Sequence, residues 1–413
     1  MFSELGYERL SKVWLDRDVQ QKLLVGVVLM VLFTAIVVKG VLFQFVTYAL
    51  PLATMAVPNL RRSFLPLLKR FGPPFLLLFF ALTLPSLWAW ELGRPVLWAD
   101  LLKWFWKLGV FPVAFALLVV KSGIGVHGRT AWLLLSGALV ASTGIYDVVL
   151  FTDAHEVINP ARWPRFDGIA SNPNPFGLAC ALGAVAGVVN LLTSVKRGWA
   201  RDGVTLILFL LCVCGVLLSG SRGALLVVVL CGGLACFIVT RARSMNRYLI
   251  FFGVGVALLF GVAELLDIRV LGRLAGTLEF DEARFKIWTY YLGVAENNPW
   301  GMGFIDPRGP LSPPLGLMPH NFLLELMIVG GVVATILGAV LVLYVLWQGW
   351  RLRLPEMAFF LGAVLFAFVD MSLFDSIPME VALMIGLSLF HAAKMEKGNL
   401  NFQHQLEGSE RLC

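Results

Sequence analysis

Long apolar stretches recur along the chain, and they limit its possible folds more than any other feature. A transmembrane helix needs about 20 predominantly apolar residues, and stretches of this kind follow one another from Lys22 onward. Only 14% of the 413 residues are charged, whereas soluble proteins are about 25% charged. The sequence therefore predicts an all-α, polytopic integral membrane protein.

Twelve membrane spans fit the hydropathy pattern, and an even number places both termini on the same side of the membrane. Residues 1–20 are polar and mixed in charge, so they do not predict a cleavable signal peptide. The predicted spans are 22–39, 41–57, 74–91, 104–120, 131–151, 176–195, 203–219, 222–240, 248–266, 321–347, 357–374 and 378–393.

Lysine and arginine are concentrated in every second connection between these spans. Placing those connections and both termini on one side gives that side most of the 33 lysines and arginines, and the positive-inside rule makes it cytoplasmic. The net charge of +7 then reflects topology, and it gives no reason to expect nucleic-acid binding. The basic connections are 58–73, 121–130, 196–202, 241–247 and 348–356.

The opposite, outer side receives two long loops, 152–175 and 266–320. The larger loop separates spans one to nine, in 1–265, from spans ten to twelve, in 321–393, and a cytoplasmic tail follows at 394–413. Because loops of this length are usually functional, we expect the larger loop, with its short amphipathic helices, to contribute to a site.

The sequence LLSGSRGALL places Arg222 in a tight connection between two spans on the outer side. An arginine this close to hydrocarbon is costly unless it is paired, hydrated or extended to the interface. A guanidinium group also matches pairs of phosphate oxygens and stays charged at any relevant pH. Arg222 is therefore either an interfacial anchor or part of an anion-binding site.

The larger loop contains the sequence ARFKIWTYYLGVAENNPWGMGF, which ends at Phe304. Arg284 and Trp288 are one helical turn apart, so the first part predicts an amphipathic helix on the membrane surface. The glycines of Gly301-Met302-Gly303 favour a turn with positive φ angles, and a phosphate-binding loop is the alternative.

The sequence PHNFLLELMIVGG leads from the larger loop into the tenth predicted span. His320 and Asn321 follow Pro319, so they are predicted at the cap or first turn of the helix. The positive end of the helix dipole favours the neutral imidazole, which is the form that accepts a proton. His320 is thus either an interfacial packing residue or a general base.

Acidic residues fall in the outer halves of several spans, and intramembrane carboxylates usually face a cavity or a partner. Any of Asp147, Glu325, Asp370, Asp375 and Glu380 is a candidate for orienting His320. The one D-x-D sequence lies at the cytoplasmic N-terminus, and the cysteines lack metal-ligand spacing. We therefore predict no metal site and no cofactor.

Together, the segments around Arg222, Arg284 and His320 resemble the O-antigen ligase family of the lipid-linked oligosaccharide ligase and polymerase superfamily. SRGALL resembles its first arginine motif, and RFKIWTYYLGVAENNPWGMG its loop motif. HNFLLELMIVGG resembles its pattern of a histidine, a small polar residue and, after about nine residues, a glycine, here Gly331. The layout of twelve spans with one large loop between spans nine and ten is also similar.

The resemblance implies a C-type membrane glycosyltransferase in the bacterial inner membrane, with a periplasmic active site and cytoplasmic termini. Such an enzyme moves O-antigen from undecaprenyl pyrophosphate to a sugar hydroxyl of lipid A–core, in contact with membrane lipids, without nucleotide or metal. Carried onto this chain, the resemblance makes His320 the base. Arg222 and Arg284 become catalytic and pyrophosphate-binding residues, and Asn321 and Asp370 become substrate-binding residues.

Three other functions are consistent with parts of this pattern. An O-antigen polymerase uses the same donor, but the His-Asn-x9-Gly pattern favours a ligase. Protein O-oligosaccharyltransferases of the same superfamily usually carry a longer outer C-terminal region. A lipid-linked glycan transporter is expected to place its polar residues near the bilayer midplane, whereas here they gather at the outer rim.

Overall fold

The computed structural model describes residues 17–37, 41–155, 164–170, 172–193, 199–239, 278–305, 319–352 and 355–370. The predicted spans 248–266 and 378–393, most of the larger loop, and the predicted tail 394–413 lie outside these residues, as do Asp375 and Glu380. For Arg284 and Asp370 the description extends to the backbone alone.

Every regular element in the described residues is helical, which agrees with the predicted fold class. One short 3-10 turn, Gly168–Ala170, and one π-helical stretch, Trp106–Val110, accompany the α-helices. The α-helices are α1 Arg17–Val37, α2 Val41–Ala56, α3 Pro58–Glu91, α4 Trp98–Phe105, α5 Phe111–Ser122, α6 Val126–His155, α7 Pro173–Thr193, α8 Trp199–Ser219, α9 Arg222–Val239, α10 Leu278–Asn297, α11 Phe322–Leu352 and α12 Glu356–Asp370.

Six helices of the described chain are long and apolar enough to cross a membrane. Shorter apolar helices account for four more of the predicted spans, at Gln20–Phe33, Phe45–Ala56, Arg222–Ile238 and Met357–Ala367. The protein is therefore a multi-pass membrane protein, and the number of twelve spans stays a prediction.

Helix α3 differs from the prediction at its N-terminal end. Residues 58–73, assigned to a cytoplasmic connection, are helical and continuous with the third predicted span. The 34 residues of α3 extend over about 51 Å at 1.5 Å per residue, longer than the bilayer core of about 30 Å. Arginines and lysines of this basic segment thus lie on a helix that continues beyond the hydrocarbon region.

The helix directions place the ends of several elements on one side of the bundle. Residues Trp98–Ser122 form one membrane-length segment, so the C-terminus of α3 and the N-terminus of α6 lie on opposite sides. Helix α6 returns to the side of Trp98, where Phe166 donates its backbone N–H to the Leu218 carbonyl at 3.1 Å. The turn between α8 and α9 is therefore on the same side as the end of α3.

Helices α6, α7 and α8 pack through small residues. A Cβ atom on Gly137 would lie 2.8 Å from the Cα of Gly183, so glycine is needed where α6 and α7 touch. Cys180 and Cys212 are fully buried at these contacts, which agrees with a packing role. Helix α9 packs on α7, and α12 contacts both α9 and α11. Helix α12 thus connects the α6–α9 group to the helix that follows His320.

Candidate active site

Asn321 begins helix α11 as its N-cap. Its side-chain Oδ1 accepts hydrogen bonds from the backbone N–H groups of Leu323 and Leu324, both at 3.1 Å. Its carbonyl oxygen accepts the N–H of Glu325 at 2.9 Å. The prediction that His320 and Asn321 stand at the start of this helix is confirmed, because the cap satisfies N–H groups that a helix cannot satisfy internally.

His320 has a left-handed backbone conformation with a φ of 47°, and it is the one non-glycine residue with positive φ in the described part of the chain. Such conformations cost about 1–3 kcal/mol, and they cluster at active sites where the surroundings hold them in place. The residue is half-buried just before the cap of α11. The backbone of His320 is therefore constrained directly before the N-terminus of α11.

Trp288 of α10 contacts the chain directly before His320. Its indole Nε1 donates a hydrogen bond to the Pro319 carbonyl oxygen at 2.7 Å. Ile287 and Tyr291 are buried in a cluster that also includes Leu324 and Ile328 of α11. Helix α10, which contains Arg284 one turn before Trp288, is thus held against both the approach to His320 and the first turns of α11.

Helix α11 is interrupted at Gly331, whose φ of 69° and ψ of −165° are non-helical. The loop 299–305 occupies this interruption. Met302 and Gly303 donate their N–H groups to the carbonyls of Ile328 and Val329 at 2.7 and 2.9 Å, and the Pro299 carbonyl accepts the Val332 N–H at 2.9 Å. Within a membrane, backbone polar groups must form hydrogen bonds within the protein. At the interruption, the loop supplies the hydrogen-bond partners that the helix itself does not.

Glycines make this close contact between loop and helix possible. Gly301 and Gly303 have φ angles of 87° and 84°, which confirms the predicted turn with positive φ. A Cβ on Gly301 would lie 2.4 Å from the Val329 carbonyl oxygen. The alternative of a phosphate-binding loop is wrong for Met302 and Gly303, because their N–H groups are bonded to α11.

The same loop also contacts the end of α3. The Phe304 backbone N–H donates a hydrogen bond to the Ser86 hydroxyl oxygen at 2.9 Å, and the Phe304 carbonyl accepts one from the Leu97 N–H at 2.8 Å. Gly303 is so close to Pro85 and Ser86 that a Cβ would lie 2.8 Å from atoms of both. The N-terminus of α11 is therefore on the same side of the bundle as the turn before α9.

Arg222 is the first residue of α9, directly after a turn with Gly220 at a φ of 56°. Ser221 caps the helix, since its hydroxyl accepts the Ala224 N–H at 3.3 Å and its carbonyl accepts the Leu225 N–H at 3.1 Å. The Arg222 side chain is half-buried. The structure thus places Arg222 and His320 at helix N-termini on the same side of the protein.

Arg165, which the sequence analysis did not single out, contacts the turn before Arg222. Its Nε donates to the Ser219 carbonyl oxygen at 2.8 Å, and its Nη2 donates to the Asn174 side-chain oxygen. Its side chain also lies beside Gly220, where a Cβ would be 3.3 Å from Cγ of Arg165. No motif marks this arginine, and its position between two long apolar stretches was the one available signal.

The acidic candidates are placed differently from one another. Glu325 is fully buried in the first turns of α11, whereas Asp147 is half-buried in α6. Asp370 is the last described residue of α12. No group of three or more histidine, cysteine, aspartate or glutamate residues with a geometry suited to a metal ion occurs in the described residues.

A family model described as O-antigen ligase matches residues 207–337. This part of the chain belongs to the O-antigen ligase family. The match runs from α8 into α11 and includes Arg222, Arg284, His320 and Asn321, whereas Asp370 lies beyond it. No curated protein matches the chain.

The O-antigen ligase match confirms the family resemblance and covers the interrupted part of α11 with the loop that fills it. The match supports an enzyme of the O-antigen ligase and polymerase superfamily, and the apolar helices agree with a multi-pass membrane protein. Gly301 of the loop and Gly331 of α11 have a shared structural reason, since a Cβ on either residue would clash with the backbone of the other segment.

Proposed function

We propose that the protein is an O-antigen ligase that transfers O-antigen polysaccharide from undecaprenyl pyrophosphate to a sugar hydroxyl of lipid A–core. The observation that carries this proposal is the constrained His320, held in a left-handed conformation at the N-terminus of α11 within the O-antigen ligase match. The reaction needs a base at the membrane surface, because both substrates are lipids whose reactive groups emerge there.

His320 acts as the general base in this proposal. A sugar hydroxyl is a poor nucleophile, so a base within hydrogen-bond reach is needed to accept its proton. The hydroxyl oxygen forms a bond to the anomeric carbon, the bond from that carbon to the pyrophosphate oxygen breaks, and the proton goes to the imidazole. Direct displacement of this kind inverts the anomeric configuration.

Arg222 and Arg284 bind the pyrophosphate and stabilise its charge as it leaves. Fixed cations aimed at developing charge lower a barrier most where water is excluded, and two arginines make protonation of the leaving group unnecessary. No metal and no nucleotide are required. Arg222 is supported by its place at the start of α9 and Arg284 by its place in α10, which contacts the chain before His320.

Asn321 and Asp370 are proposed to bind substrate. The Asn321 Oδ1 accepts two helix N–H groups, so this residue also fixes the direction in which α11 starts. Asp370 is the last described residue of α12, the helix that contacts both α9 and α11. An acid that orients the imidazole comes either from this position or from Glu325, which is buried five residues after His320.

The active site is proposed to face the periplasm from the inner membrane, with both termini in the cytoplasm. The variants Asn159→Cys and Pro313→Cys should therefore react with an impermeant thiol reagent added to spheroplasts, and Met245→Cys should not. Cys180, Cys212, Cys231 and Cys236 are buried and Cys214 is half-buried, so the protein without an added cysteine measures the labelling background. If Met245→Cys alone is labelled, the protein has the opposite orientation in the membrane.

A lipopolysaccharide gel of a strain lacking the gene tests the function itself. A ligase deletion should leave full-length core without O-antigen and accumulate the polymer on undecaprenyl pyrophosphate. Core that carries a single O-antigen repeat would instead identify a polymerase, and unchanged lipopolysaccharide with altered protein glycans would identify a protein O-oligosaccharyltransferase. Donor that accumulates only on the cytoplasmic side would identify a transporter.

Trp288→Phe should lower the turnover number about tenfold while the protein level stays normal. The phenyl ring keeps most of the packing of α10, but the Pro319 carbonyl loses its hydrogen bond, and small misplacements of a reacting group cost up to about 100-fold in rate. Trp300→Phe is the control, since Trp300 is 76% exposed. Equal activity of both variants would show that Trp288 does not position His320.

A further inference from the structure

We propose that Arg165 is a positioning residue that holds Arg222 in the direction needed to contact the donor pyrophosphate. The inference rests on the proposed function of Arg222. Arg165 comes from the shorter outer loop, far in sequence from the turn between α8 and α9, and its hydrogen bond to Ser219 spans 54 residues of chain. The loop therefore contributes to the geometry of a residue that lies in another part of the sequence.

Two contacts of Arg165 fall on the turn directly before Arg222, at Ser219 and Gly220. Its Nε donates to the Ser219 carbonyl at 2.8 Å, and its aliphatic stem lies against Gly220. Ser219 and Ser221 are almost fully buried, and the Ser221 N–H donates to the Ser219 hydroxyl at 3.1 Å. The turn is thus held by side chains on both sides before the chain enters α9.

A cation at this position is favoured by the electrostatics of the neighbouring helix. Ser219 is the last residue of α8, and the C-terminal carbonyls of a helix attract positive charge. The neighbouring residue Phe166 donates its backbone N–H to the Leu218 carbonyl at 3.1 Å. Two consecutive carbonyls at the end of α8 are therefore satisfied by two consecutive residues of the outer loop.

Asn174 is the second hydrogen-bond partner of the Arg165 guanidinium group. A variant of Asn174 therefore distinguishes a positioning role of Arg165 from direct contact of Arg165 with the substrate. Its side-chain oxygen accepts from Nη2 of Arg165, and its own N–H donates to the Asn172 side chain at 2.9 Å in the cap of α7. The guanidinium group is therefore fixed between α7 and α8. Removing the Asn174 side chain loosens Arg165 without removing its charge.

The proposal is tested by transfer kinetics in proteoliposomes, with a synthetic undecaprenyl-pyrophosphate oligosaccharide as donor and purified lipid A–core as acceptor. Arg165→Gln should lower kcat/KM for the donor by about 10- to 100-fold, the range expected for a misplaced reacting group. Asn174→Ala should lower it in the same direction, although Arg165 keeps its charge. Arg94→Gln, on the same side of the bundle and half-buried, should match the wild type.

A double-mutant cycle with Arg222 gives the decisive comparison. Groups that act as a unit are not additive, so Arg165→Gln should cause little further loss in an Arg222→Ala background. Full additivity, or a wild-type Asn174→Ala enzyme beside an impaired Arg165→Gln enzyme, would overturn positioning. So would Arg165→Gln protein that is scarce and thermally unstable but has normal kcat/KM, because that result indicates a role in folding alone.

The premise is tested separately in the same series. Arg222→Lys keeps the charge but loses the planar fork that contacts two phosphate oxygens, and Arg222→Ala loses both, so each should be strongly impaired. If Arg222→Ala transfers normally, the proposed function of Arg222 fails, whatever the result at Arg165. If Arg222→Ala is inactive and Arg165→Gln is normal, the failure belongs to the present inference.

Discussion

His320→Ala should reduce transfer by about 10²–10⁴-fold, the usual contribution of a general base, while the protein inserts and binds the lipid-linked donor as before. Donor affinity is retained because the proposed pyrophosphate contacts come from Arg222 and Arg284. Turnover and donor binding of the purified variant in proteoliposomes measure the two effects independently. Alanine in place of His320 also removes a residue type that tolerates the left-handed conformation, so protein amount and thermal stability are measured alongside.

His320→Asn is the control that separates catalysis from local structure. Asparagine adopts left-handed backbone conformations readily, so this variant should fold normally, yet its amide does not accept a proton near neutral pH. Wild-type activity should rise with pH as the imidazole converts to the neutral form that accepts a proton. That rise should be missing from the residual activity of His320→Asn. An active His320→Asn enzyme with an unchanged pH profile would refute the base assignment.

Gly331→Ala should prevent the protein from accumulating in a stable form. Its φ of 69° and ψ of −165° are accessible essentially to glycine alone, and forcing another residue there costs about 1–3 kcal/mol. A Cβ would also lie 2.4 Å from the Pro299 carbonyl oxygen and from the Trp300 carbonyl carbon, which adds an overpacking cost of about 1–3 kcal/mol. The yield of monodisperse protein and its Tm in detergent measure this loss.

Gly293→Ala is the matched control for Gly331→Ala. Gly293 lies in α10, and a Cβ there would meet nothing within 4 Å. Alanine favours a helix over glycine by about 1 kcal/mol, so the Tm of this variant should equal or exceed that of the wild type. A stable Gly331→Ala protein with normal transfer would mean that the loop 299–305 does not need to fill the interruption in α11.

Local chemistry explains which parts of the site were predictable from sequence. Pro319 disfavours a helical conformation at the residue before it, and Asn321 is a residue type preferred at the N-cap. The start of α11 next to His320 was therefore predictable from neighbouring residues. The positive φ angles at Gly301 and Gly303 were predictable for the same reason. Hydropathy and the alternation of spans also placed Arg222 and His320 on one side, and the helix directions agree. That this side is periplasmic stays a prediction.

The contacts that were not predictable are formed by backbone groups far apart in sequence. Nothing in the glycine pattern of the loop says that Met302 and Gly303 bind carbonyls of α11, because a glycine turn is equally suited to an anion or to solvent. The predicted span 321–347 was drawn without an interruption, since hydropathy does not detect a helix break between apolar residues. Arg165 was missed because its partners are a carbonyl and an amide, which leave no charge pattern.

The order in which the chain is synthesised gives the loop 299–305 a further consequence. Residues 85–97 leave the ribosome long before the loop, and the loop leaves it before α11. The partners of Phe304, Ser86 and Leu97, are therefore synthesised before it. The N–H groups of Met302 and Gly303 form their hydrogen bonds to the carbonyls of Ile328 and Val329 only after α11 has been synthesised. We therefore expect a substitution that keeps the loop from packing on α3 to leave the carbonyls of Ile328 and Val329 without these partners, so that α11 depends on contacts made by residues synthesised before it.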